Sequence, residues 1–330
     1  MTSAANIPKW SVMIPTKDCA HFLEETLASV LIQYPGAEEM QICVVDDASD
    51  DDPAAVAERI GHSRVEFFRQ AQNVGHTRNF NTCIRLARGR LVHILHGDDA
   101  VLPGFYAKMG RQFDEHPTVG AAFCRQFFTD PSGGAREESA RILPASGILP
   151  DAARIFATRP LLSPPAMVVR RDVYSAVGGF DVRFTHAGED LEMWVRIAAQ
   201  YPIAFELEPL VLYRRHPESL LSSSIASGLN IREARTAVSL LERHFPPSDW
   251  PSVDAKAREL IALWAMSLAR NLARRGQGRE ALVQAREAIR TRSSGQVLRH
   301  LAAIPPALLA GILSPRKTGD YRVASTINSP

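Results

Sequence analysis

Two acidic pairs are the residues best equipped for chemistry. Asp46-Asp47 follows the apolar run Met40–Val45 (MQICVV), and Asp98-Asp99 follows Leu91–Leu95 (LVHIL) after His96-Gly97. Each run reads as a β-strand that stops abruptly at charge. In open α/β sheets, ligands bind at the carboxyl ends of the strands, so both pairs belong on one rim. Carboxylates there can meet a bound ligand as charges or as hydrogen-bond acceptors. The bland alternatives are an N-cap for the helix after Asp98-Asp99 and a solvated turn begun by Asp and Ser49 at Asp46-Asp47. A third pair, Glu189-Asp190, opens a helical stretch. There the helix dipole favours a carboxylate whether or not it acts as a base.

The elements that must position these pairs alternate along the first half of the chain. Trp10–Ile14, Met40–Val45, Val65–Phe68 and Leu91–Leu95 read as strands. Between them, His21–Tyr34 has apolar residues at 22, 23, 27, 30 and 31, and Thr77–Arg88 reads as a helix ended by Gly89. A further helix is expected from Pro103 to about His116. This alternation implies βαβ units and a mostly parallel sheet covered by helices. After a strand at Val119–Phe128, the Pro-, Gly- and Ser-rich stretch Thr129–Pro150 reads as a loop. Ala166–Val169, Ile203–Phe205 and Leu210–Tyr213 read as strands, with helices at Asp172–Val177 and Glu189–Gln200. Beyond residue 227 the pattern is helical only: Asn230–Phe245, Val253–Arg275, Gly278–Arg292 and Val297–Leu313.

A chain of 330 residues favours two domains, or one large domain with an appendage. With 45% apolar and 22% charged residues it is not disordered, collagen-like or stapled by disulfides. The net charge of +2 argues against a dedicated nucleic-acid binder, but it hides a split. Residues 1–227 carry 22 basic and 28 acidic side chains, and residues 228–330 carry 16 and 8, giving −6 and +8. Two domains are therefore expected, 1–227 and 228–330. Cys19, Cys43, Cys83 and Cys124 form no CxxC pair and read as buried thiols of a reducing compartment. The N-terminus lacks the pattern of a signal peptide, and the run Leu301–Pro315 is short and broken by prolines. A cytoplasmic location is the expectation. No Gly-rich phosphate loop, zinc-ligand spacing or GxSxG elbow occurs.

Seven segments in order resemble the family-2 glycosyltransferases of GT-A fold. They are SVMIPTKDCAHFLEETLASVLIQ, ICVVDDASDDD, NVGHTRNFNTCIRLARG, LVHILHGDD, VVRRDVYSAVGGFD, GEDLEMWVRIA and LYRRHPESLLSS, and they span roughly residues 9–220. The resemblance implies an inverting transfer of a sugar from a nucleotide-diphospho-sugar donor to a saccharide or lipid-linked saccharide acceptor, with Mn²⁺ or Mg²⁺. It implies Asp99 as metal ligand, Asp98 as a donor contact, and Asp46 and Asp47 as the base and ribose site closed by Pro15 and Thr16. It also implies Arg78 on the diphosphate, Asp190 as the base with Glu189 beside it, and His216 completing the metal or diphosphate site. Arg214 or Arg215 joins the phosphate contacts.

Three departures from the family pattern matter. His96 stands where many relatives carry a carboxylate, and it either reaches a phosphate or simply packs. Lys17 replaces an aromatic residue that would stack on the base. The QxxRW signature of processive synthases is absent, which favours single additions. The resemblance further implies surface polysaccharide or lipopolysaccharide assembly. Two rivals are a sugar-1-phosphate nucleotidyltransferase, whose Gly-rich phosphate loop PTKDCAHF does not supply, and a catalytically silent nucleotide-sugar-binding or assembly protein. The basic tail is either a solvated helix face or a peripheral contact with anionic lipid.

Overall fold

The computed structural model describes residues 7–134, 136–159, 163–216 and 219–302. The chain divides into two compact units. The first takes residues up to 152, then 161–185 and 196–214; the second takes 153–160, 186–195 and 215 onwards. Every described helix beyond residue 228 falls in the second unit, together with two earlier segments.

The first unit begins with the expected alternation. Its elements are β1 (Trp10–Thr16), α1 (Ala20–Leu31), β2 (Met40–Asp46), α2 (Pro53–Gly61), β3 (Glu66–Arg69), α3 (His76–Leu86) and β4 (Leu91–Ile94). Continuous apolar runs make β1, β2 and β4 buried along their whole length, as strands covered on both faces must be. They pair in parallel in the order β3-β2-β1-β4, with Thr16 opposite Asp46 and Met13 opposite Ile94. The acidic residues therefore emerge beside one another where these ladders end.

Then follow in chain order β5 (Ala100–Val101), α4 (Phe105–Glu115), β6 (Ala121–Thr129), β7 (Arg136–Glu138), β8 (Gly147–Ile148), α5 (Ala152–Thr158), β9 (Met167–Arg170), α6 (Arg171–Val177), α7 (Glu189–Ala198) and β10 (Ile203–Arg214), of which α5 and α7 lie mainly in the second unit. β9 joins the sheet antiparallel between β4 and β6, and β10 runs parallel to β6. The short strands β5 and β8 pair antiparallel with β10, and β7 with β6. The stretch read as the loop Thr129–Pro150 thus contains β7 and β8. The two short strands expected at 203–205 and 210–213 are one strand, whose register shifts around Glu206, Pro209 and Val211. A proline cannot donate to a ladder, so a bulge at Pro209 is what lets the strand continue.

The core of this unit packs Val12, Ile14, Leu23, Leu27, Ile42, Val44, Leu95, Phe105 and Met109, all with essentially no exposure. In the second unit, α8 (Leu220–Ile225), α9 (Leu229–Leu240), α10 (Trp250–Arg274), α11 (Gly278–Thr291) and α12 (Gly295–Ala302) surround a small-residue core. Ala234, Ala262, Ala265, Ala269, Ala285 and Ala288 let the helices approach closely around Ile231, Ile261 and Met266. The remainder of the helix expected at Val297–Leu313 lies outside the described residues. All four cysteines are buried free thiols. Among the described residues no helix is long and apolar enough to cross a membrane.

Candidate active site

The end of β1 anchors both acidic loops through its backbone. The Asp47 N–H donates to the Thr16 carbonyl (2.9 Å), and the Gly97 N–H donates to the Pro15 carbonyl (3.0 Å). Six of the candidate residues, Pro15, Thr16, Asp46, Asp47, Asp98 and Asp99, are thereby gathered on one rim of the sheet. Gly97 is forced by this closeness. A Cβ there would lie 2.8 Å from Thr16 Oγ1, 3.0 Å from Cys19 Sγ and 3.3 Å from the Pro15 carbonyl.

The loops after β1 and β2 are knitted to each other. The Ser49 hydroxyl accepts from the Asp18 N–H (2.9 Å), Asp18 Oδ1 accepts from the Asp50 N–H (2.8 Å), and Asp51 accepts from the Ala20 N–H (2.7 Å). Asp18 and Ala48 hold positive φ, of 50° and 59°, in these loops. Such strained backbone persists only where the surroundings over-determine it. Lys17, which stands in place of a stacking aromatic, donates to the Ala48 carbonyl (3.1 Å) and pairs with Asp18 (2.7 Å).

Within the first acidic pair, both carboxylates already serve the protein. Asp46 is fully buried, paired with Arg69 (2.5 Å) and capping the Ser49 N–H (3.0 Å). Asp47 accepts from the Val74 N–H (2.7 Å) and the Gly75 N–H (3.0 Å), fixing the loop that enters α3. Asn79, in the same helix, donates to the Val45 carbonyl (2.8 Å), a structural role. Arg78 lies exposed in the first turn of α3, after Gly75 with φ of 86°.

The second pair differs. Asp99 Oδ1 accepts from the Arg214 N–H (2.7 Å), but its buried Oδ2 makes no hydrogen bond. His96 Nδ1 lies 3.4 Å from that oxygen, at ion-pair range without hydrogen-bond alignment. Burial first, and the neighbouring Asp98 charge second, raise the Asp99 carboxyl to about 6. One ligand atom from each of His96, Asp98 and Asp99 lies within 4.8 Å of the others. An imidazole nitrogen and two carboxylates suit a Mn²⁺- or Mg²⁺-sized cation, and the unbonded buried oxygen is the atom such a cation would complete. His96 is part of this cluster, and its ring also stacks on Phe80 (5.3 Å between centroids).

Of the two residues behind this pair, Thr26 carries no catalytic signature in the sequence. The Thr26 hydroxyl, on the buried face of α1, points at the carbonyls of Asp99 (2.7 Å) and Gly97 (3.0 Å). A threonine within the apolar stripe Leu23, Leu27, Val30 was the readable signal. Arg214 donates to the Asp98 carbonyl (2.9 Å) and the Pro131 carbonyl (2.7 Å), pairs with Glu25, and covers the Phe22 ring (4.6 Å). Its side chain is committed to holding the acidic turn, so of the two arginines expected at the phosphate, Arg214 has a structural task and Arg215 stays the candidate.

Glu189, Asp190 and His216 belong to the second unit. Glu189 is buried and Asp190 half-buried in the first turn of α7. Gly188, just before, has φ of 95°. His216 is buried, and its carbonyl accepts from the Ser219 N–H and the Ser222 hydroxyl (both 3.2 Å) where α8 begins.

A family model, "Glycosyl transferase family 2", matches residues 11–178, half of the chain and the whole of the rim. The chain belongs to glycosyl transferase family 2. Its relatives include an uncharacterized Mycobacterium tuberculosis protein, 40% identical over 35% of each chain. Another is the O-antigen biosynthesis protein RfbC of Myxococcus xanthus, 27% identical over 58% of this chain and 16% of that one. The aligned stretches span between a third and two fifths of the first curated relatives' own lengths. Among solved structures, this family 2 glycosyltransferase is similar to S. aureus TarS 1–349 in complex with UDP-GlcNAc. There the TM-score is 0.56 at 15% identity, covering 84% of this chain and 90% of that one. It is also similar to the mannosyltransferase PcManGT of Pyrobaculum calidifontis in complex with GDP-Man and Mn²⁺. That likeness has a TM-score of 0.56 at 19% identity, over 92% and 84% of the two chains. The fold of this glycosyltransferase is of GT-A type.

Proposed function

We propose that the chain is a metal-dependent, inverting glycosyltransferase acting on a nucleotide-diphospho-sugar. The observation that carries the reading is the buried Asp99 oxygen without a hydrogen bond, beside His96 and Asp98 on the rim of a family 2 fold. His96, Asp98 and Asp99 would hold Mn²⁺ or Mg²⁺, with His216 as the further candidate. A divalent cation supplies neutralisation of the charge that develops on a departing diphosphate.

The chain's own residues supply the rest. Pro15, Thr16, Asp46 and Asp47 border the nucleotide. Asp46 and Asp47 retain lone pairs beyond those given to the protein, since a carboxylate offers about four acceptor directions. Arg78, exposed at the start of α3, pairs with the diphosphate. Asp190 takes the proton of the acceptor hydroxyl, whose oxygen attacks the anomeric carbon as the carbon–diphosphate bond breaks, with Glu189 supporting it. Relatives named for O-antigen and teichoic acid biosynthesis support a surface-polysaccharide setting, and the proposal takes the acceptor as a saccharide or lipid-linked saccharide met in the cytoplasm. The exposed face of α11, with Arg279, Leu282 and Arg286, supports peripheral contact with anionic lipid in that setting. A catalytically silent nucleotide-sugar binder would bind donor without turnover.

The test assays UDP-, GDP- and dTDP-sugars with Mn²⁺, following donor turnover in the purified full chain. Asp99→Ala and Asp190→Asn are each expected to abolish transfer, with Asp190→Asn sparing donor binding. Full transfer by either variant overturns the assignment.

A further inference from the structure

The proposed base sits on α7, and the second unit shows what fixes the start of that helix. Glu233, on α9, accepts hydrogen bonds from two consecutive backbone N–H groups just ahead of it: His186 (2.7 Å) and Ala187 (2.9 Å), both on Glu233 Oε2. Gly188 follows in the positive-φ region, and a Cβ there would lie 3.0 Å from the Ala237 Cβ and 3.2 Å from the Glu233 carbonyl. The loop thus rests directly on α9, and the glycine is what allows it. One turn into α7, the buried Glu192 pairs with Arg243 (2.7 Å), just beyond α9, and Leu191 packs on the Ile231–Ala234–Val238 core. Charge, backbone bonding and packing all tie the segment 186–192 to residues 231–243.

From these contacts we infer that Glu233 is a positioning residue for the glycosyl transfer. It fixes the loop 186–188 so that the Asp190 carboxylate is presented at one depth and angle, which makes the first C-terminal helix part of the catalytic apparatus. The inference rests on the proposed role of Asp190. A general base must lie within hydrogen-bond reach of the proton it removes, and a displacement of about 1 Å can cost about 100-fold in rate. A carboxylate holding two adjacent N–H groups three and four residues ahead of that base is suited to prevent it, because both donors aim at one charged acceptor. Glutamine at 233 keeps a carbonyl acceptor and loses the charge; alanine loses both.

The experiment uses the full chain with the Mn²⁺-supported donor and acceptor identified by the transfer assay. Glu233→Ala is expected to lower kcat about 10- to 100-fold, with the donor KM changed less than about twofold. Glu233→Gln is expected to recover most of that loss. Thr236→Ala, on the exposed face of the same helix, is expected to leave kcat unchanged. Unchanged kcat in folded Glu233→Ala overturns the inference, as does a loss expressed only in KM. If Glu233→Ala does not fold, Glu233→Asp, which keeps the charge but shortens its reach, decides: wild-type kcat with a lowered melting temperature marks a merely structural contact, and a reduced kcat at wild-type stability supports positioning. Asp190→Asn, run alongside, separates the two readings. Full transfer by that variant removes the base assignment itself, whereas its inactivity beside a fully active Glu233→Ala removes only the role of Glu233.

Discussion

The two acidic pairs of the first unit look alike in sequence and differ in what they leave undone. Each follows a buried parallel strand, and Asp46, Asp47 and Asp99 are all less than 5% exposed. At the first pair, burial is matched by bonds: Arg69 and Ser49 serve Asp46, and Val74 and Gly75 serve Asp47. At the second pair one oxygen of Asp99 is buried beside another acid with no hydrogen bond. Leaving a buried polar atom without a hydrogen bond is costly, which makes that oxygen a candidate point for a ligand. On the proposed reading the first pair would build the pocket and the second would hold a cation. A doublet of carboxylates after a strand fixes location; the hydrogen bonds around it decide the task.

Four outcomes would break or sharpen that contrast. The largest belongs to Asp99. Asp99→Asn is expected to cut transfer by about 10³-fold, since several kcal/mol of leaving-group stabilisation go with the cation. The melting temperature of the metal-free chain should be unchanged or raised, because a buried repulsion with Asp98 is gone. A marked drop in melting temperature, read by calorimetry, would make Asp99 a structural acid like Asp47.

The next concerns His93, on the strand leading to the second pair. It is fully buried between the Pro165 carbonyl (2.8 Å) and the Tyr106 hydroxyl (3.3 Å), and burial lowers it from 6.5 to about 4. The folded state thus binds fewer protons than the unfolded state between these values. Its stabilising contribution is complete above about 6.5 and disappears as the pH falls towards 4, by roughly 3 kcal/mol. Urea unfolding across that range should show this loss in the wild type and a flatter profile in His93→Gln.

Smaller effects follow at the first pair and at the glycine between the loops. Asp47→Ala strands the Val74 and Gly75 N–H groups and is expected to cost about 1–3 kcal/mol of stability. Its donor affinity should fall too, whereas Asp99→Asn affects turnover first. Gly97→Ala inserts a methyl against Thr16 and Cys19 and is expected to cost about 1–2 kcal/mol, measured as a lowered urea midpoint.

Much of this was legible in the sequence. MQICVV and LVHIL are too apolar to be anything but buried elements, and the abrupt change to Asp-Asp marks where such strands leave the sheet. The helix at Glu189 was equally plain from its apolar spacing. What escaped was long-range bonding. The resemblance puts Arg214 or Arg215 at the phosphate, yet the Arg214 guanidinium holds the carbonyls of Asp98 and Pro131, contacts about 116 and 83 residues away in sequence. Thr26 and Glu233 sit in ordinary helical patterns, and only the fold reveals which backbone groups they meet. Pro209 suggested a strand break, but a register shift absorbs it. Residue type and spacing located the rim, while the partners that divide its labour came from tertiary contacts.

The central claim, that Asp99 is held ready for a divalent cation, has one direct test. Mn²⁺ binding is measured by paramagnetic resonance on the full chain with UDP, GDP or dTDP present, comparing wild type with Asp99→Asn. Saturable binding of one Mn²⁺ by the wild type, weakened at least about 10-fold in the variant, is the expected result. Equal binding by both proteins, or none by the wild type with any of the three nucleotides, would contradict it.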